Sequence, residues 1–198
     1  MRSRNITSIL PVGEAAMTGL RVPFPRSYWV IEDRLLAGCY PGGKTPPEQE
    51  TKLESLFRCG IRHVINLMEP HEADHDGSPF TPYVRDLEAI ARQHGAAITC
   101  TRIGIKDVTA PTDEVMRSIL AEIDEAIAHN KPVFIHCWGG RGRTGTVVGC
   151  YLMAHGLATS ENVLQMIAEL RKNDPSSHLP SPETTKQRAM VLAWNNKR

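Results

Sequence analysis

Apolar positions along this chain fall into short unbroken runs that alternate with stripes spaced three and four apart. That rhythm marks buried strands alternating with amphipathic helices. Tyr28–Gly38 holds two apolar runs around Glu32-Asp33-Arg34 and predicts a hairpin, ended by Tyr40-Pro41-Gly42-Gly43. Thr45-Pro46 offers a cap and a first-turn proline for a helix faced by Leu53, Leu56 and Phe57 and stopped by Gly60. Arg62–Leu67 reads as a buried strand, and the polar stretch Met68–Pro79 as a loop of functional length. Thr81-Pro82 repeats the cap-and-proline start for a helix carried by Leu87, Ile90 and Ala91 to Gly95, and Ala97–Ile105 is the next strand. Thr112-Asp113-Glu114 then opens a helix with acids where its dipole favours them, and Val115, Met116, Ile119, Leu120, Ile123 and Ile127 form its core stripe.

The run Val133-Phe134-Ile135 ends at His136-Cys137, and Thr144–His155 is apolar nearly all round, so it predicts the buried helix of the domain. Ser160 caps a further helix with Val163, Leu164, Ile167 and Leu170 inward and Arg171-Lys172 at its end. Ser181-Pro182 starts the last helix, with Val191 and Trp194 packing. The alternation predicts an α/β fold: a single three-layer domain whose largely parallel central sheet has helices on both faces. Open sheets of this kind bind ligands at the carboxyl ends of their strands, where Cys137 falls.

Composition narrows the classes. A chain of 198 residues suits one well-buried domain, expected over residues 27–198 after an N-terminal extension over 1–26. Apolar content of 41% and charged content of 23% are ordinary for a globular protein, and a net charge of +1 gives no argument for nucleic acid or for a membrane surface. Arg2 and Arg4 are followed by Pro11, Gly13 and Glu14 rather than by a secretory apolar core, and no run reaches transmembrane length, so membrane insertion is not expected. The five cysteines, Cys39, Cys59, Cys100, Cys137 and Cys150, are irregularly spaced and form no CxxC pair, which argues against a disulfide framework or a zinc site. A reduced thiol points to the cytoplasm. The Met68–Pro79 loop carries Glu69, His71, Glu72, Asp74, His75 and Asp76 without metal-ligand spacing, so it reads as solvated, with Glu69 or Glu72 available to pair with an arginine.

The chemistry concentrates in Pro132–Thr146. Gly139, Gly140 and Gly142 free the backbone after Cys137 to curl, so that successive N–H groups point at one anion, and the next helix adds its positive end. A cysteine so placed is favoured as thiolate, and Arg143 can aim a two-pronged guanidinium at the same anion. Nucleophile, cradle and clamp on one turn describe a phosphate-ester site. Asp107, after the preceding strand and with Pro111 close behind, is the candidate acid for the departing oxygen. Its strand end is expected beside that of Cys137. Asp113 is the rival, better used at its helix start.

His136-Cys137-x5-Arg143-Thr144-Gly145 resembles the signature of cysteine-dependent protein tyrosine and dual-specificity phosphatases, small dual-specificity members above all. The resemblance implies that Cys137 attacks phosphorus, Arg143 and the loop amides hold the equatorial oxygens, and Asp107 donates and later recovers a proton. It also implies that Thr144 bonds the sulfur, that His136 orients loop and sulfur, and that no cofactor is needed. Trp138, Gly139, Gly140, Arg141, Gly142 and Gly145 would line the bound phosphate. Pro182–Gln187 resembles the segment that positions the hydrolytic water in some tyrosine phosphatases, although Glu183 replaces its first Gln and only Gln187 matches. The expected substrate is a phosphorylated protein or peptide, phosphotyrosine favoured and phosphoserine or phosphothreonine accepted, acted on by a monomer. An inositol phosphate or phosphoinositide phosphatase is the alternative, since Arg141 adds a second charge to the loop. A silent phosphate-binding module and a sulfurtransferase leave Asp107 or Arg143 without a purpose.

Overall fold

The computed structural model describes residues 22–194. The first 21 residues of the expected extension therefore lie outside the described residues. Five strands form one sheet in the order β1-β2-β5-β3-β4. They are β1 (Ser27–Ile31), β2 (Leu35–Gly38), β3 (His63–Asn66), β4 (Thr99–Arg102) and β5 (Val133–His136). β1 is antiparallel to β2, and every other pairing is parallel. The α/β reading and the hairpin both stand.

Strand alternation builds two cores, one on each face. Trp29, Leu36, Val64 and Phe134 face α1 (Pro46–Arg58) and α2 (Val84–Gln93), meeting Leu53, Leu56, Leu87 and Ile90. Tyr28, Ala37, Ile65, Val133 and Ile135 face α3 (Asp113–Ala128), α4 (Arg143–Ala154), α5 (Val163–Leu170) and α6 (Thr185–Ala193). At about 1.5–3 kcal/mol per large buried side chain, these two layers supply the main driving force for folding. α4 lies against β5, and its residues Arg143–Met153 are buried.

Helix starts differ from the sequence expectation in three places. α2 begins at Val84, because Tyr83 turns inward and is buried rather than continuing the helix from Pro82. α5 begins at Val163, where Asn162 rather than Ser160 organises the turn by accepting from the Thr159 N–H at 2.8 Å. α6 begins at Thr185, with Thr184 and Gln187 forming a reciprocal capping box, so Ser181-Pro182 belongs to the preceding loop. No helix among the described residues is long and apolar enough to cross a membrane.

Candidate active site

The loop between β5 and α4 wraps the carboxyl end of the sheet. Gly140 turns it with φ +69°, and a Cβ there would lie 2.5 Å from the Gly38 carbonyl carbon, so only glycine lets the loop pass β2 so closely. Gly145 is constrained in the same way, its Cβ position occupied by the Ser181 hydroxyl. The loop is fastened from outside by Tyr40, whose N–H donates to the Trp138 carbonyl at 3.0 Å, by Arg26 Nη2 to Gly139 O at 2.7 Å, and by Ser181 Oγ to Arg141 O at 2.8 Å.

Cys137 is buried at the start of this loop and lines a cleft of about 430 Å³ together with Asp107, Trp138, Gly139, Arg141 and Gly142. Arg143 is 1% exposed beneath it. Its guanidinium meets both oxygens of Glu72, Asp107 Oδ1 at 2.9 Å and the Ile105 carbonyl at 3.0 Å. Burial opposes the Arg143 charge, but Glu72, Cys137 and Asp107 outweigh it and hold the group above its usual pKa. Arg143 Nε is buried without a hydrogen-bond partner. A buried donor of that kind is costly unless an acceptor meets it, and a phosphate oxygen is such an acceptor.

Asp107 reaches Arg143 by a route that differs from expectation. β4 pairs with β3 and not with β5, so the two strand ends are not neighbours. The chain after β4 instead runs across the end of β3, with Ile103 N–H to Asn66 O and Ile105 N–H to Leu67 O, both 3.0 Å, and delivers Asp107 over the loop. Asp113 stays in the first turn of α3.

His136 is buried, and burial pushes its imidazole down to about 3, so the ring is neutral. Its Nδ1 faces the Cys137 carbonyl at 3.1 Å, an acceptor, so Nδ1 carries the proton and Nε2 accepts from the Tyr83 hydroxyl at 2.6 Å. Thr144 is buried beside the loop, its hydroxyl donating to Gly38 O at a long 3.5 Å; the expected bond to sulfur is not the one this rotamer makes. Trp138 forms one wall of the cleft, packed on His75 at 4.3 Å and Phe80 at 5.5 Å between centroids. Arg141 is ion-paired with Glu183. Gln187 is buried with Nε2 donating to Thr109 O at 3.0 Å, and a Cβ on Gly142 would lie 3.2 Å from that nitrogen, so Gln187 caps α6 and also lies against the Cys137 and Asp107 loops.

Every residue expected in the site is thus at one end of the sheet. Tyr83 was missed as a site residue because its apolar neighbours read as a helix start. Of the two carboxylates expected to be available for an arginine, Glu72 is the one that pairs with Arg143, while Glu183 reaches Arg141 by a loop path that only the fold decides.

The family model for the Swiss Army Knife protein, DSP-PTPase phosphatase domain (PTP-SAK) matches residues 26–190. The dual specificity protein phosphatase CDC14B of Mus musculus is 28% identical over 149 residues, 75% of this chain and 28% of that protein. The phosphatidylglycerophosphate phosphatase PTPMT2 of Arabidopsis thaliana is 28% identical over 142 residues, 71% of this chain and 54% of that one. The chain therefore spans between about a quarter and a half of these two relatives. Among solved structures, Tk-PTP in its active form is 25% identical, with a TM-score of 0.61, covering 88% of this chain and 99% of that chain. The core domain of the PP-IP phosphatase SIW14 of S. cerevisiae shares the fold at 18% identity and a TM-score of 0.58, covering 89% of this chain and 90% of that one. With its sheet, its cysteine loop and a family match over nearly the whole described chain, this protein belongs to the PTP-SAK family of cysteine-based phosphatases with the dual-specificity and tyrosine phosphatase fold.

Proposed function

We propose that the chain hydrolyses phosphomonoesters on proteins through a phosphocysteine, with phosphotyrosine accepted best and phosphoserine or phosphothreonine also taken. The observation that carries this reading is that Cys137 and Asp107 line one cleft, with Asp107 ion-paired to the buried Arg143. Cys137 Sγ attacks phosphorus in line, the sulfur–phosphorus bond forms, and the bond to the leaving oxygen breaks. The loop amides and Arg143 Nε hold the equatorial oxygens. In the free protein Asp107 sits on Arg143; an arriving phosphate oxygen takes its place there and leaves the acid to protonate the departing oxygen. Water then attacks the phosphocysteine with Asp107 as base, and the Thr144 hydroxyl turns from Gly38 to the departing sulfur. His136 and Tyr83 fix the loop rather than move protons.

The Arg141–Glu183 pair supports the preference for phosphotyrosine. It occupies the loop's second cation, while Trp138, His75 and Phe80 offer an aromatic wall. The alternative, an inositol phosphate or phosphoinositide phosphatase, draws on Arg26 and Arg141 both lining the cleft. Phosphotyrosine peptides, phosphoserine peptides, inositol phosphates and phosphoinositides assayed side by side on the wild type decide between them. Higher kcat/KM on the peptides supports the proposal, and preference for the inositols replaces it. A nucleophilic thiol suits work in a reducing compartment such as the cytoplasm.

A further inference from the structure

Two exposed apolar side chains line the cleft, one on a strained backbone and one on a backbone fixed by a buried cation. Val108, next to Asp107, is 55% exposed and has φ +54°, in the left-handed region. A β-branched residue is a genuine outlier there, unlike Asp33 and Asn130, which adopt the same region elsewhere in the chain. Exposure gives Val108 no burial in the free protein to offset that strain. Leu179, 39% exposed, also lines the cleft, from the segment between α5 and α6. Its carbonyl accepts from Arg171 Nη1 at 3.2 Å, and the same guanidinium holds Ser176 Oγ at 3.1 Å and Asp174 at 3.6 Å. Arg171 is fully buried, although it stands at a helix end. A buried cation thus fixes the backbone that presents an exposed leucine.

Strained backbone of this kind concentrates at functional sites, and here the geometry says what it serves. Phosphorus must sit against Cys137, and the leaving oxygen must face Asp107. The carbon skeleton attached to that oxygen is therefore carried out of the cleft past Val108, and Leu179 lines the same cleft. We infer that Val108 and Leu179 form an apolar seat for the leaving group and select esters whose phosphate is borne on an apolar or aromatic skeleton, such as a tyrosine side chain in a peptide. The seat contributes to the discrimination between substrates rather than to bond cleavage. This inference rests on the phosphoprotein reading above.

The test compares kcat/KM for a phosphotyrosine peptide with kcat/KM for inositol monophosphate in the wild type, Val108→Asn and Leu179→Asn. Each variant should lower the peptide-to-inositol ratio about tenfold, the usual scale for lost apolar contact in a specificity pocket. Val108→Asn should also melt no lower than the wild type, because Asn tolerates the left-handed conformation better than Val. A wild type that favours the peptide, with the ratio unchanged in both variants, overturns the seat alone. Equal losses on both substrates would overturn it too, reducing Val108 to a support for the acid loop. A wild type that favours inositol phosphate, or acts only on phospholipid vesicles, overturns the phosphoprotein reading and the seat with it.

Discussion

Glu72 grips Arg143 with both carboxylate oxygens, Oε1 on Nη1 and Oε2 on Nη2 at 2.9 Å, from a loop 71 positions away in sequence. The pair fixes the plane of the guanidinium and leaves Nε buried without a hydrogen-bond partner. Removing one partner of a fully buried pair costs about 3–5 kcal/mol; here Asp107 and the Ile105 carbonyl remain on the arginine, so about 2 kcal/mol is expected for Glu72→Gln. Urea unfolding measures the loss. The variant should also bind vanadate more weakly, since the fork is no longer held in one orientation. Unchanged stability and vanadate affinity would show that the pair does not position Arg143.

Arg143→Lys tests the fork itself. Lysine keeps the charge and loses the planar pair of donors, so kcat should fall about 10²–10³-fold, on the scale of removing a donor aimed at developing charge. Steady-state kinetics with a phosphotyrosine peptide check it. A loss within tenfold would mean that charge alone suffices.

Asp107→Asn should slow hydrolysis of alkyl and unactivated aryl phosphates about 10²–10⁴-fold, and activated aryl phosphates much less, because an acidic leaving oxygen needs no proton. Initial rates across leaving groups of graded acidity give the slope. Equal losses along the series, or a larger effect at Asp113, would move the acid role elsewhere.

Most of this site was legible before any fold was known. Cys137, Arg143 and the loop glycines sit within one short stretch whose chemistry is local, so spacing alone carried it. Asp107 lies beside Arg143, but not through adjacent strand ends: β3 stands between β4 and β5, and the loop path brings the carboxylate back. The Met68–Pro79 loop offers Glu69 or Glu72 to an arginine, and the fold selects Glu72 for Arg143; Tyr83 and Glu183 carry no such signal, because their contacts with His136 and Arg141 are long-range. The burial of Arg171, at a helix end, likewise depends on the loop after α5 folding back over it.

The neutral state of His136 has a consequence for acid stability. Its pKa in the folded chain is about 3, against 6.5 for the free group, so below about pH 6.5 the unfolded chain takes up a proton that the native state refuses. Stability from this group is therefore complete above pH 6.5 and falls as pH drops toward 3, by up to about 1.4 kcal/mol per pH unit. Urea unfolding of the wild type and His136→Asn between pH 4 and 7, in ~0.5-unit steps, should give a shallower slope for the variant. Identical slopes would show that His136 is not held neutral. Tyr83→Phe should lower stability by about 1–3 kcal/mol at pH 7, because it leaves the buried Nε2 without its donor.

The central claim is that phosphate passes through sulfur on Cys137. Acid-quenching the protein during turnover of a phosphotyrosine peptide and mapping it by mass spectrometry tests this most directly. The account predicts a phosphoryl group on Cys137, more abundant in Asp107→Asn because the base for its hydrolysis is gone, and absent from Cys137→Ser, which should also show no turnover. Turnover by Cys137→Ser, or a phosphoryl group on any other residue of a competent enzyme, would contradict it.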